Sequence, residues 1–177
     1  MRPLWSDAGV LSEPYQPAMP VVGISGQAAE AYCRYLSRRI GLPCRLPTVL
    51  EWEKAARGVD GREYVWGNDY QPGLANIQDR ARSASSPEPH AVPGGGYPKD
   101  VSIYGVHDLA GNVRELVTNP NNEQYFSVKG SSFAASPRFA RIPENTYAYP
   151  GLSDIGFRYV VELPPQPVST IAATPAP

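Results

Sequence analysis

The stretch Tyr104-Gly105-Val106-His107-Asp108-Leu109-Ala110-Gly111-Asn112-Val113-Arg114-Glu115 decides how this chain is read. Gly111-Asn112 is a turn pair set between two carboxylates, Asp108 and Glu115. Asp side chains in such turns cap nearby backbone amides. That reading needs no ligand.

Two helices are legible on the N-terminal side. Thr48-Val49-Leu50-Glu51 is a capping box, in which the Thr hydroxyl and the Glu carboxylate each satisfy an orphan amide. Leu50, Ala55 and Ala56 give a small apolar face alongside Trp52, and Gly58 ends the helix. Further upstream Ser25 is a good N-cap. Ala28, Ala29, Tyr32, Cys33, Leu36 and Ile40 recur at helical spacing, and Gly41 and Pro43 stop the run. This predicts a helix over about 26–40. Val21-Val22-Gly23-Ile24 reads as a short buried strand, and residues 1–19 as an irregular proline-rich segment. Strand-like runs return at 125–129 and 155–162, after a mostly irregular 59–101. The tail, 164–177, holds five prolines and no charge and reads as a disordered linker. The middle segment, 20–163, is then the one domain.

The composition bounds the function. Formal net charge is −1, without the basic field of a general nucleic-acid binder. A hydrophobic content of 42% argues against disorder of the whole chain. Sixteen Gly and 20 Pro, a fifth of the residues, point to a loop-rich fold with short elements. No run of about 18 apolar residues is present, so no membrane span is expected. The N-terminus has no apolar signal core, which makes the cytoplasm the default compartment. Two cysteines, Cys33 and Cys44, exclude a disulfide framework but not one bridge. Cys33 lies on the apolar side of its helix and reads as a buried thiol. Arg34, Arg38 and Arg39 lie on the polar side, as a solvated face or a contact for an acidic partner.

Six segments stand in a familiar order. They are Pro20–Ser25 leading into Ala31-Tyr32-Cys33; Arg45-Leu46-Pro47-Thr48 through Glu51-Trp52-Glu53 to Ala55-Ala56-Arg57-Gly58; Tyr64-Val65-Trp66-Gly67 with Ala75-Asn76-Ile77; Tyr104 to Glu115; Lys129-Gly130-Ser131-Ser132-Phe133; and Ile155-Gly156-Phe157-Arg158. Together they closely resemble the formylglycine-generating enzyme, or sulfatase-modifying factor, family, from about Pro20 to Val160. The resemblance implies an α+β fold, a variant of the C-type lectin-like fold. Two short helices, a small twisted antiparallel sheet and long ordered loops are expected.

Enzymes of that family oxidise a sulfatase cysteine to formylglycine with copper and oxygen. The chemistry needs two cysteines five residues apart, because soft thiolates select copper(I). In this sequence those positions are Ala135 and Ala140. Ser132 keeps the family serine, which does not restore the oxidation. Formylglycine generation, and with it copper, is therefore not expected. Related iron enzymes draw histidines from a separate helical domain. The two histidines here, His90 and His107, do not form a ligand pattern.

The resemblance also implies a structural calcium at the Tyr104–Glu115 stretch. Asp108 and Glu115 would give carboxylate oxygens, and Gly111 and Val113 backbone carbonyls. Calcium takes about six to eight hard oxygens, which a turn between carboxylates can aim inward. A second family site would begin at Asn76 and Ile77, but no later acidic ligand matches in 78–92. The 131–154 segment lies where the family's active groove lies. It carries Ser132, Phe133, Arg138, Phe139, Arg141, Asn145, Tyr147, Tyr149 and Asp154, and Tyr and Arg are enriched at binding hot spots. Proteins diversified by retroelements vary this same region. The leading expectation is a non-catalytic module that binds a protein partner or small ligand through 131–154. The alternatives are an enzyme of altered chemistry and a structural subunit of an assembly. Family members carry further strands before the Pro-Val-Val segment. The chain therefore reads as a fragment, or as one whose sheet other chains complete.

Overall fold

The computed structural model describes residues 16–79, 89–121, 125–148 and 152–165. Residues 1–15 of the N-terminal segment, the tail beyond 165 and Tyr149 lie outside the described residues.

The first helix, α1, spans Gly26–Ile40. Ser25 caps it by accepting from the Ala28 amide at 3.1 Å, and Gly41, in the left-handed region at φ 73°, closes it. Ala29 and Cys33 are buried, whereas Tyr32 and Ile40 stay exposed, so the inner stripe is narrower than the spacing predicts. A two-residue strand β1 (Cys44–Arg45) leads to the second helix, α2 (Val49–Arg57). Both halves of the capping box form: Thr48 Oγ1 accepts from the Glu51 amide at 3.2 Å, and Glu51 Oε2 accepts from the Thr48 amide at 2.8 Å. Trp52 and Ala56, four residues apart, face inward. Leu50 does not join them and is 71% exposed. Two residues before Trp52 it is turned about 200° around the axis, to the solvent side.

Four strands make the main sheet: β2 (Arg114–Val117), β3 (Ser127–Lys129), β4 (Thr146–Tyr147) and β5 (Ile155–Phe157), in the order β4-β3-β2-β5. β3 pairs antiparallel with β2 and β4, but β5 runs parallel to β2, so the sheet is mixed rather than antiparallel. The long excursion between β3 and β5 supplies the crossover that a parallel neighbour requires. The run 155–162 is not one strand. It breaks after Phe157, and β6 (Val160–Val161) pairs antiparallel with β1 in a separate two-stranded sheet. Val21–Ile24 forms no strand either. Gly23 takes φ 72°, Val21 is 52% exposed, and the segment is tied to β5 by Gly23 N donating to Ile155 O at 3.0 Å.

The sheet separates two apolar clusters. On one side Trp52 and Ala56 of α2 pack with Tyr64, Val65, Ile77, Leu109, Val117, Ala140 and Ile142. On the other, Ala29 and Cys33 of α1 pack with Cys44, Leu46, Leu116, Val128 and Ile155. Adjacent residues Leu116 and Val117 serve opposite clusters, as the two-residue period of a strand dictates. Cys33 and Cys44 are free thiols, buried and within hydrogen-bonding reach of each other. Burial, then the neighbouring Cys44, pushes the Cys33 thiol up to about 11. Among the described residues no helix is long and apolar enough to cross a membrane.

Candidate functional site

The excursion between β3 and β4 holds the positions that decide the chemistry. It leaves β3 through Gly130 and runs through the 3₁₀ turn Pro137–Ala140, which Ser136 caps. Ala135 and Ala140 are both buried, and Ala140, 2% exposed, packs with Ile142 in the α2 cluster. Ser132 is fully buried and not at the surface. Its hydroxyl donates to Asp154 Oδ2 at 2.5 Å. Asp154 also accepts from Arg114, at 2.7 Å from Nη2 and 3.0 Å from Nε. Burial works against the charged form of Asp154, but the Arg114 guanidinium and the Ser132 hydroxyl outweigh it and hold the carboxyl below the usual range. A carboxylate so stabilised is a weak base. Ser132 is therefore a structural hydroxyl in this arrangement, not an activated nucleophile.

Two further groups of candidate residues lie on this excursion and on β4 at its end. Arg138 and Arg141 are paired rather than free. Arg138 Nη2 lies 3.2 Å from Glu144 Oε2, and Arg141 reaches Glu63 Oε2 at 2.6 Å and Glu144 Oε1 at 3.4 Å. Arg138 remains 70% exposed. Lys129 on β3, wholly buried, fixes the chain beneath them. Its Nζ donates to Glu53 Oε1 at 2.9 Å and to the carbonyls of Ile142 and Glu144, and lies 5.4 Å from the Trp52 ring centre. Burial lowers its pKa, opposed by Glu53. Sequence reasoning gave Lys129 no role. A lysine between Val128 and Gly130 in a strand-like run was the available signal.

Tyr147 belongs to the other group. It stands 56% exposed on the edge strand β4, in edge-to-face contact with Tyr125 at 6.0 Å. Beside them a cavity of about 620 Å³ opens between the start of α1 and the sheet, floored by Leu116, Phe126 and Ile155. Asn145 is exposed, and Phe133 is half-buried, its amide donating to Asn112 O.

The Asp108–Glu115 turn is held by protein donors. Asp108 sits at φ 58° and its Oδ2 accepts from the Gly95 amide at 2.7 Å. Buried Asp100, from the preceding loop, accepts from the amides of Ala110 and Gly111 at 2.9 and 3.0 Å. Burial, with the charges of Asp108 and Glu115 adding to it, pushes Asp100 up to about 7. Glu115 Oε2 accepts from Trp52 Nε1 at 2.7 Å and Arg158 Nε at 2.6 Å, and Oε1 accepts from Arg158 Nη2. Gly111 O accepts from the Val113 amide. At the second pair, Asn76 O accepts from the Asn112 amide and Ile77 O from the Asp79 amide, both at 2.9 Å. Calcium would need about six to eight oxygens turned toward one point. Glu115 offers a carboxylate at this turn, its two oxygens also accepting from Arg158 and Trp52. Among the described residues no three His, Cys, Asp or Glu side chains are grouped to hold a metal.

A sheet with one capped helix on each side, long loops and a buried alanine pair beside an engaged serine define a protein of the formylglycine-generating-enzyme fold without its redox cysteines. Residues 5–163 match the sulfatase-modifying factor enzyme 1-like domain, and the chain belongs to that family. Over 101 residues it is 41% identical to the inactive C-alpha-formylglycine-generating enzyme 2 of Bos taurus, covering 54% of this chain and 31% of that protein. The chain spans about a third of the length of such relatives. In fold it is similar to the crystal structure of CarF, with TM-score 0.69 and 21% identity over 88% of this chain and 72% of that one. PvdO from Pseudomonas aeruginosa gives TM-score 0.68 and 24% identity over 92% and 70%.

Proposed function

We propose that this domain is a non-catalytic binding module on the formylglycine-generating enzyme scaffold, presenting the surface of residues 131–154 and the adjoining cavity. The observation that carries this is the buried alanine pair with Ser132 held by Asp154, since neither a redox ligand nor a free nucleophile is left at the family's reactive position. The ligand surface is then the exposed part of the excursion. Arg138 and Asn145 offer polar contacts, and the Tyr125–Tyr147 pair rims an apolar cavity of the size that takes small ligands or a partner's side chains. Phe133 and Arg141 support that surface, one half-buried and one tied to Glu63. That a relative of this family is named inactive agrees with the reading.

The test is capture of partners from source lysate on wild-type protein, with Arg138→Glu and Tyr147→Ala as controls. Both residues are exposed, so both variants are expected to fold. A partner kept by wild type and reduced at least about tenfold by either substitution, a loss of about 1.4 kcal/mol, supports the module. A partner held equally by all three places the contact elsewhere. Turnover of a sulfatase-type cysteine peptide by the wild type would overturn the reading outright.

A further inference from the structure

The outer side of α1 carries a stripe of which no residue lies in the 131–154 segment. Ala28, Tyr32, Tyr35 and Arg39 succeed one another at intervals of four, three and four residues and so share one helix face. Tyr32 and Tyr35 are exposed, as is Tyr159 from the link between β5 and β6. The rings form one continuous cluster. Tyr32 stands edge-on to Phe157 at 5.6 Å and lies 6.3 Å from Tyr35 and 6.4 Å from Tyr159. At the Tyr32 end the cluster walls a hollow of about 600 Å³, lined also by Val21, Ile24 and Ala28. At the other end Arg39 Nη1 donates to the Tyr35 hydroxyl at 2.9 Å, and Arg38 stands exposed next to it. The carboxylates carried by α1 and by the end of β6, Glu30 and Glu162, already pair with Arg34 at 3.8 Å and Arg45 at 2.8 Å. Among the described residues no carboxylate lies within ion-pair reach of Arg38 or Arg39. The C-terminus of α1 offsets only about half a unit of their charge, so the stripe ends in a net positive field.

We propose that this face of α1 is a second interaction surface, fitted to an acidic segment of a partner protein. The segment seats an apolar side chain in the hollow between Tyr32 and Tyr159 and sets its carboxylates against Arg38 and Arg39. Tyr and Arg are the residue types in which binding hot spots concentrate. Contiguous exposed aromatics gain apolar burial when a partner covers them, and the two arginines select the sign of that partner. An acidic segment gains charge-assisted hydrogen bonds there, whereas a basic one meets two like charges. Two arginines are too few for a nucleic acid, which binders grip through about six to ten phosphate contacts, and the whole chain has a net charge of −1.

The experiment pans a display library of random linear peptides on the whole chain, then titrates the enriched peptides, made synthetically, by fluorescence anisotropy. The enriched peptides are expected to carry a surplus of Asp and Glu around Phe, Leu or Trp. Their binding is expected to weaken as salt rises from about 0.1 M to about 1 M, where the screening length falls from about 10 Å to about 3 Å. Arg38→Glu combined with Arg39→Glu is expected to weaken it at least about tenfold, and Tyr32→Ala by a similar factor. Tyr32 packs on Phe157, so the Tm of Tyr32→Ala is measured alongside. If that Tm falls, the charge reversal, made on exposed side chains, decides alone. No enrichment, a consensus without an acidic surplus, or wild-type binding by the charge-reversed variant overturns the proposal. Displacement of the peptides by polyuridylate or phosphatidylserine vesicles but not by poly-glutamate also overturns it. Peptides lost with Tyr147→Ala and kept by the charge reversal bind the 131–154 surface instead, which overturns this proposal and leaves the reading of that surface standing.

Discussion

Lys129 shows how one residue fixes a surface it never reaches. Its ammonium has three donors, and all three are used inside the protein, on Glu53, Ile142 O and Glu144 O. Removing it strands two carbonyls and leaves Glu53 with Arg57 as its one ion-pair partner among the described residues. Lys129→Met is therefore expected to cost about 3–5 kcal/mol, the range for breaking a buried pair by deleting one partner. Urea denaturation measures it, and a loss below about 1 kcal/mol would mean that water takes over the three bonds. Ser132 gives the opposite lesson. It looks like a reactive residue by position, yet its proton is committed to Asp154. Ser132→Ala should destabilise by about 1.5–3 kcal/mol, as for hydrogen bonds to charged groups, while partner capture through Tyr147 and Arg138 stays at the wild-type level. A selective loss of capture with unchanged stability would return Ser132 to the ligand surface.

At the scale of the elements, α2 is short and depends on its N-terminus. The Thr48–Glu51 box is complete, and Glu51 also pairs with Arg45 at 2.7 Å, which Glu162 holds from the other side. Thr48→Ala is expected to cost about 1 kcal/mol, which shifts Tm by about 2–4 °C in a domain of this size. The Arg45 hydrogen bonds, partly offset by burial and helped by Thr48, hold the Glu51 carboxyl down at about 2, against an ordinary value of 4.5. A depressed carboxylate stabilises the fold at pH above its unfolded value, and that contribution is lost as pH falls from about 4.5 toward 2. Wild type should therefore exceed Glu51→Gln in stability at pH 7, with the difference shrinking in acid. Paired urea titrations at pH 7, 4 and 3 test this. A difference that stays constant with pH would place the Glu51 contribution in the cap geometry and not in its charge.

At the scale of the whole molecule, Val21–Ile24 is tied to the sheet at β5, Gly23 N donating to Ile155 O. Gly156 lies so close to that segment that a Cβ there would stand 2.6 Å from Val21 O and 3.2 Å from Val113 Cγ2. Gly156→Ala is expected to cost at least about 1–3 kcal/mol by overpacking, and hydrogen exchange should show the loss concentrated at the Gly23 amide, which donates to Ile155 O. Exchange at Gly23 unchanged from wild type would mean that the segment shifts without loss. At this scale the limits of the sequence are also plain. Both helices were legible because their signals are local: caps, stop glycines and a face of Trp52 and Ala56 act within a few residues. The six ordered segments, and the two alanines at the cysteine positions, likewise needed only the order of residues. Leu50 shows where local reading fails, since apolar character alone does not say which side of a helix meets the core. The parallel placing of β5, the splitting of 155–162 between two sheets, and the loss of a strand at Val21–Ile24 depend on which distant segment is nearest. The same is true of the site. Ser132, Arg138, Arg141 and Tyr147 could be named from the chain, but their exposure and pairing could not. The sequence alone determined the helices, the family and the missing copper ligands, because each is written in residues close together or in fixed order. Only the tertiary structure decided that Glu115 belongs to Arg158 and Ser132 to Asp154, because a buried charge or hydroxyl takes its meaning from a partner that folding brings from far along the chain.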